Sequence, residues 1–155
     1  MVGRLTHSKP RPGCLACDRR PPARHPVLAF LAGAHLQAGQ FGDALAALAQ
    51  AVETAADTGE RHFQAELCRL RGMLLAQTGQ VVEAASWLHS AIDTARSQQA
   101  RSLELRAAIS LARLWAEQGR RTEACDLLAP IYGWFTEGFD TPDLIEAKAL
   151  LDELG

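Results

Sequence analysis

The chain is predicted to be all-α: three helix-turn-helix units stacked side by side, followed by a single closing helix. Gly39, Gly79 and Gly119 stand 40 residues apart, and each is followed at one fixed distance by an acid and an alanine, Asp43-Ala44, Glu83-Ala84 and Glu123-Ala124. A fixed period of this length marks stacked repeats, in which no unit buries its apolar face alone and neighbours share a core. A helical apolar spacing also persists from Pro26 to the C-terminus, with no alternating strand pattern and with β-branched residues scattered.

The elements follow in order. Pro26 suits the first turn of a helix, where its missing N–H has no partner to lose, and Val27, Phe30, Leu31 and Ala34 then fall at i, i+3, i+4 and i+7 until Gly39. A second helix, with Ala44, Leu45, Leu48, Ala51 and Val52 on one face, closes near Gly59. The next pair runs from about Arg61 to Thr78, with Leu67, Leu70, Leu74 and Leu75 inward, and from Val81 to Ser97, with Ala84, Trp87, Leu88, Ala91 and Ile92 inward. The third pair covers Ser102 to Gln118 and Thr122 to about Tyr132. Gly133, Gly138 and Phe139-Asp140 then break the helix. Thr141-Pro142-Asp143 reads as a new start, with a hydroxyl cap, a proline at the first position and an acid at the positive end of the dipole. Leu144, Ala147, Leu150, Leu151 and Leu154 make one stripe on this closing helix over about 141–154.

Composition narrows the function classes. At 155 residues, 48% hydrophobic and 22% charged, the chain has one domain's worth of core and the balance of a soluble globular protein. No apolar run approaches the ~20 residues that cross a bilayer, and no apolar stretch backs the basic N-terminus as a secretory leader would require. Cys14, Cys17, Cys68 and Cys125 are too dispersed for a disulfide framework, so a reducing cytoplasm is expected.

Charge divides the chain in two. Residues 1–25 hold six basic side chains against Asp18, net +5, while the remainder has 10 basic and 17 acidic residues, net −7. Pro10, Pro12, Pro21 and Pro22 interrupt the first segment, which lacks apolar periodicity, so 1–25 is expected to be a flexible tail and 26–155 the folded domain. The repeats then occupy about 26–59, 60–98 and 99–135.

Superposing the units at a shift of 40 gives each position a role. Ala32, Gly72 and Ala112 coincide, as do Ala44, Ala84 and Ala124, where two backbones must approach closely. Leu48, Leu88 and Leu128 coincide as larger core residues, and His35 coincides with Leu75 and Trp115. Small, large and small residues at these offsets, with glycine at the turn, resemble the tetratricopeptide repeat lengthened from its usual 34 residues. A period near 40 also suits HEAT or armadillo repeats; the aligned glycine and the acid-alanine pair favour the tetratricopeptide pattern. Arg71 departs from it, standing where Leu31 and Leu111 align, which predicts local rotation or a place facing a groove.

The tetratricopeptide resemblance implies a right-handed superhelix with a concave groove lined by the first helix of each unit. The family's groove positions fall here on Gln37, Glu66, Arg69, Met73, Gln77, Arg106, Arg113 and Glu117. Three arginines on one wall suit bidentate contacts to a peptide's carboxylates. The competing expectation pairs them with Glu66 and Glu117 as a solvated helix face.

A second resemblance rests on residues 100–108, on Ser110-Leu111-Ala112-Arg113-Leu114-Trp115, and on the run from Tyr132 to Leu144, YGWFTEGFDTPDL. These are similar to the C-terminal region of large bacterial signalling proteins, in which a class III adenylate cyclase or a winged-helix regulator is joined to a STAND-type ATPase and then to tetratricopeptide repeats. The resemblance covers about residues 26–155 and implies a sensor or scaffold module rather than catalysis. No Walker A glycine-lysine pattern and no cyclase aspartates in a strand context accompany it.

Other candidate groups have plainer readings. Cys14 and Cys17 have zinc-knuckle spacing near His7 and His25, but four ligands are needed, so they remain weak metal candidates and no cofactor is expected. Cys68 and Cys125 are expected to be small core residues, and His35 a packed histidine. No nucleophile, base and orienting group occur together, which argues against an enzyme. Tyr132, Trp134, Phe135 and Phe139 are expected to pack under the closing helix, with an exposed docking surface as the alternative. The tail has no aromatic residue to stack bases, so nucleic acid is disfavoured. These readings converge on a protein or peptide partner in bacterial signalling. Alternatives are a regulatory fragment of a cyclase or ATPase-type enzyme, and a homo-oligomer or homodimer formed through Val27, Phe30 and Ala34, left uncovered where an earlier repeat would pack.

Overall fold

The computed structural model describes residues 24–155, which form seven helices and, among those residues, no strand. They are α1 (Arg24–Gln37), α2 (Phe41–Thr58), α3 (Gln64–Gln77), α4 (Val81–Ser97), α5 (Arg101–Glu117), α6 (Arg121–Gly133) and α7 (Pro142–Leu154). The expected tail, with Cys14 and Cys17, lies outside the described residues apart from Arg24 and His25, which open α1 two residues ahead of Pro26. α3 starts at Gln64 rather than near Arg61, because residues 62–63 are a turn.

The glycine period has a direct backbone cause. Gly39, Gly79 and Gly119 have φ of 73°, 84° and 79°, the left-handed region where a Cβ is penalised. At Gly39 the amide donates to the Leu36 carbonyl and Gln40 donates to that of His35, a Schellman closure; the same pattern ends α3 at Gly79. The acid that follows, Asp43, Glu83 or Glu123, then lies in the first turn of the next helix, where the positive end of the dipole favours it. Its neighbouring alanine is fully buried in all three units.

Burying that alanine brings two helices together. A Cβ placed on Gly72 would lie 2.7 Å from Leu88 Cγ and 3.1 Å from the carbonyl oxygen of Ala84, so α3 meets α4 through a missing side chain. Each helix packs on the next in sequence. The odd-numbered helices also pack on one another, α1 on α3, α3 on α5 and α5 on α7, whereas α2, α4 and α6 do not meet. The result is an inner row of four helices and an outer row of three.

The core has two parts that meet at α3. One joins Ala29, Ala32, Leu36, Ala44, Leu48 and Ala51 to Leu67, Leu70 and Leu74; the other runs from Leu88 and Ile92 through α5 to Leu144, Ala147 and Leu150. Several expected inward positions differ. α1 buries Ala29, Ala32 and Leu36, while Val27, Phe30, Leu31 and Ala34 are exposed. Leu45 and Val52 are exposed as well, because α2 meets α3 less extensively than α4 meets α5, where the matching Ile92 is buried. Thr141 is extended, as a cap should be, but its hydroxyl donates backward to the Gly138 carbonyl at 2.8 Å instead of accepting from α7. Pro130 stands inside α6, on an exposed face.

Candidate binding groove

The inner row encloses a groove of about 650 Å³, and its entire lining comes from α1, α3, α5 and α7. All eight groove positions expected from the sequence line it: Gln37, Glu66, Arg69, Met73, Gln77, Arg106, Arg113 and Glu117. The α1 wall is apolar apart from Gln37, with Ala29, Phe30, Gly33 and Ala34 beside Leu70. The α5 and α7 walls are charged.

The arginines are already engaged. Arg69 grips Glu66 with two hydrogen bonds, Nε to Oε2 at 2.9 Å and Nη2 to Oε1 at 2.6 Å, and its Nη1 reaches Met73 Sδ at 2.8 Å and Ser110 Oγ at 3.4 Å. Arg106 donates from Nε to Asp143 Oδ2 at 2.9 Å and lies 3.9 Å from Glu66. Burial pulls the Arg106 guanidinium pKa down, but the hydrogen bond to Asp143 and the charges of Asp143, Glu66 and Glu146 more than offset this and push it up. Arg113 pairs with Glu146 at 2.7 Å. The expected pairing with Glu117 does not form: Glu117 is exposed at the far end of the groove, and two of the three arginines are held by α7. An arginine wall open to carboxylates is thereby corrected to a row of internal ion pairs.

Asp143 and Glu146 were not among the expected groove residues. The signal for them is the 40-residue shift itself, which puts Glu66, Arg106 and Glu146 at one position and makes α7 equivalent to the first helix of a unit. Treating α7 only as a cover hides that its first turn faces the groove.

The remaining candidates lie elsewhere. Arg71 is exposed on the side away from the groove, stacked 4.5 Å over the Trp87 ring, so the helix is not rotated and the position is covered by a cation–π contact. Trp115 and Trp134 are capped in the same way by Arg120 and Arg101, at 4.6 and 4.5 Å. His35 is half-buried, with Nδ1 2.7 Å from Gln40 Oε1. Cys68 and Cys125 are half-buried, and burial pushes the Cys68 thiol up against a smaller opposing pull from Arg71. Tyr132 and Phe135 pack on the core as expected, whereas Trp134 and Phe139 are exposed.

Glu104 is a charged residue the sequence did not single out. It is 2% exposed, and its two oxygens accept from Arg96 Nε at 2.6 Å and Arg101 Nη1 at 2.8 Å, tying the end of α4 to the start of α5. Among the described residues, no three His, Cys, Asp or Glu side chains converge as metal ligands, and no helix is long and apolar enough to cross a membrane. Compared with known proteins, the chain matches no protein-family model and no curated protein sequence.

Proposed function

We propose that the chain is a non-catalytic protein-interaction module, a tetratricopeptide-like right-handed superhelix with a 40-residue unit that takes a peptide segment of a partner along its groove. The observation that carries this reading is the groove's lining, drawn wholly from the inner row of helices, each of which repeats the same positions. Four helices about 8–10 Å apart span about 27 Å, the length of roughly eight extended residues at ~3.3 Å each. Ion pairs among the charged side chains leave the groove a recognition surface with a fixed pattern of charge. The similarity of residues 100–144 to the ends of cyclase and ATPase-linked signalling proteins supports a cytoplasmic setting in bacterial signalling. In that setting the chain acts alone or as the regulatory end of such an assembly.

The test is a random peptide display selection on the full chain, followed by NMR mapping of the selected peptide. Shifts confined to α1, α3, α5 and α7 are expected. Shifts that fall on α2, α4 and α6 would overturn the reading.

A second reading, self-association through the first helix pair, has its own support. Val27 and Phe30 are 61% and 75% exposed, while Leu67 and Leu70, one unit later, are 6% and 2% exposed against the preceding pair. Sedimentation of the full chain with Phe30→Asp tests it. A wild-type dimer that the substitution makes monomeric is expected, and a wild-type monomer refutes it.

A further inference from the structure

The groove's charge is set by helices at its two ends. Without α7 its lining holds three arginines against Glu66 and Glu117; α7 adds Asp143 and Glu146, so acids outnumber arginines by four to three. Each arginine is also paired with a carboxylate. Arg69 spends both edges of its guanidinium on Glu66, and the other two are bound to α7. An incoming carboxylate would find each guanidinium already neutralised by a native carboxylate, in a groove whose acids outnumber its arginines.

An incoming cation meets the opposite situation. Asp143 accepts only through Oδ2 and Glu146 only through Oε1, and Glu117 has no ion pair among the described residues. The part of α1 that lines the groove, Ala29 to Gln37, offers apolar surface without lysine or arginine, and residues 26–60 contain four acids. The folded part as a whole carries net −7, which draws cations toward it over distances of about a Debye length, ~8–10 Å.

We propose that the groove selects an extended basic peptide segment of a partner protein, with lysine or arginine side chains at Glu117, Asp143 and Glu146 and apolar side chains against Phe30 and Ala34. This rests on the reading of the groove as a peptide site and names its ligand class. It reverses the carboxylate-binding role that three arginines suggest in the bare sequence. The chain's own residues 1–25 also have net +5, and the assignment to a separate chain is what the Arg19→Glu, Arg20→Glu chain tests.

Fluorescence anisotropy on the full chain tests the assignment with three labelled peptides of matched length. Lysines alternate with leucine, alanine and serine in one, glutamates replace the lysines in the second, and glutamines replace them in the third. The lysine peptide is expected to bind at least about tenfold more tightly than either, a gap of about 1.4 kcal/mol, and to weaken as salt rises. Glu117→Lys combined with Glu146→Gln, both at accessible positions, is expected to abolish that preference while circular dichroism stays unchanged. Equal or tighter binding of the glutamate or glutamine peptide, still sensitive to these substitutions, overturns the basic ligand and keeps the groove. Binding of all three that ignores the substitutions, or no binding, overturns the groove reading with it. A full chain with Arg19→Glu and Arg20→Glu separates the sources: if it binds the lysine peptide about tenfold more tightly than wild type, the chain's own segment is the occupant and the partner assignment fails.

Discussion

Gly72→Ala probes the repeat where its geometry is tightest. In an isolated helix this change would stabilise by about 1 kcal/mol, since alanine is the better helix former. Here the new methyl would lie 2.7 Å from Leu88 Cγ and 3.0 Å from its Cδ2, with the Ala84 carbonyl oxygen at 3.1 Å. The nearest atom is the branch point of a fully buried leucine, not the end of a flexible chain, so α3 and α4 must separate or Leu88 must leave its rotamer. Overpacking of this kind costs about 1–3 kcal/mol. Taking the upper end and subtracting the propensity gain leaves a net loss of about 2 kcal/mol, read as a lower urea midpoint with unchanged slope. Leu88→Ala alone should cost about 2–5 kcal/mol through its cavity. In the double variant the methyl occupies part of that cavity, so the two losses should fall short of additive by about 1–2 kcal/mol. Additive losses, or a Gly72→Ala protein more stable than wild type, would refute the close approach of α3 and α4 and with it the physical meaning of the aligned small residues.

Other outcomes follow from single contacts. Replacing both Arg96 and Arg101 by alanine strands the buried Glu104 carboxylate and should cost about 3–5 kcal/mol in urea unfolding, whereas Glu104→Gln should cost about 1–2 kcal/mol, because the two arginines, 51% and 43% exposed, can return to water; equal losses would contradict this asymmetry. Gln99 sits at φ 54°, where the preceding unit has Gly59 at 66°, so Gln99→Gly should raise stability by about 0.5–1 kcal/mol after its entropic cost in the unfolded chain, and a loss would contradict it. For Cys68 the folded pKa is raised, so the unfolded chain gives up its thiol proton first; the stability is whole below about pH 8.5 and declines as pH rises past it. Urea unfolding across that range should show a decline that Cys68→Ala reduces, and an unchanged decline would remove burial of the thiol as its cause.

How much was legible in the sequence depends on whether a residue's role is set within its own helix pair or by a neighbour. The glycine turns and the buried alanines were readable because backbone conformation and close approach admit few residue types, whereas the groove positions came from the tetratricopeptide resemblance. The partners of the groove arginines were not readable. Arg106 and Arg113 have glutamates of their own row within reach, and their choice of Asp143 and Glu146 depends on how α7 docks on α5. Leu45 and Val52 satisfy the helical period as well as Ala44 and Leu48 do, and only the limited meeting of α2 with α3 leaves them in water. Arg71 looked like a violation because the column was read for apolarity, whereas a planar cation over Trp87 also covers an apolar ring.

α7 joins stability to the charge of the groove. A closing helix must bury one face and show water the other, and α7 does so with Leu144, Ala147 and Leu150 inward and the Lys148–Asp152 pair outward. At the position where earlier first helices carry Ala32, Gly72 and Ala112 it carries Asp152, which is exposed. A start at Pro142 calls for an acid in the first turn. That acid, Asp143, lies on the groove side and captures Arg106, and Glu146, one turn on, captures Arg113. The residues that begin the closing helix therefore also turn a groove with an excess of arginine into one with an excess of carboxylate. Without α7 the same inner row would line the groove with arginine in excess, so the sign of the groove's charge depends on the helix that closes it as much as on the three before it.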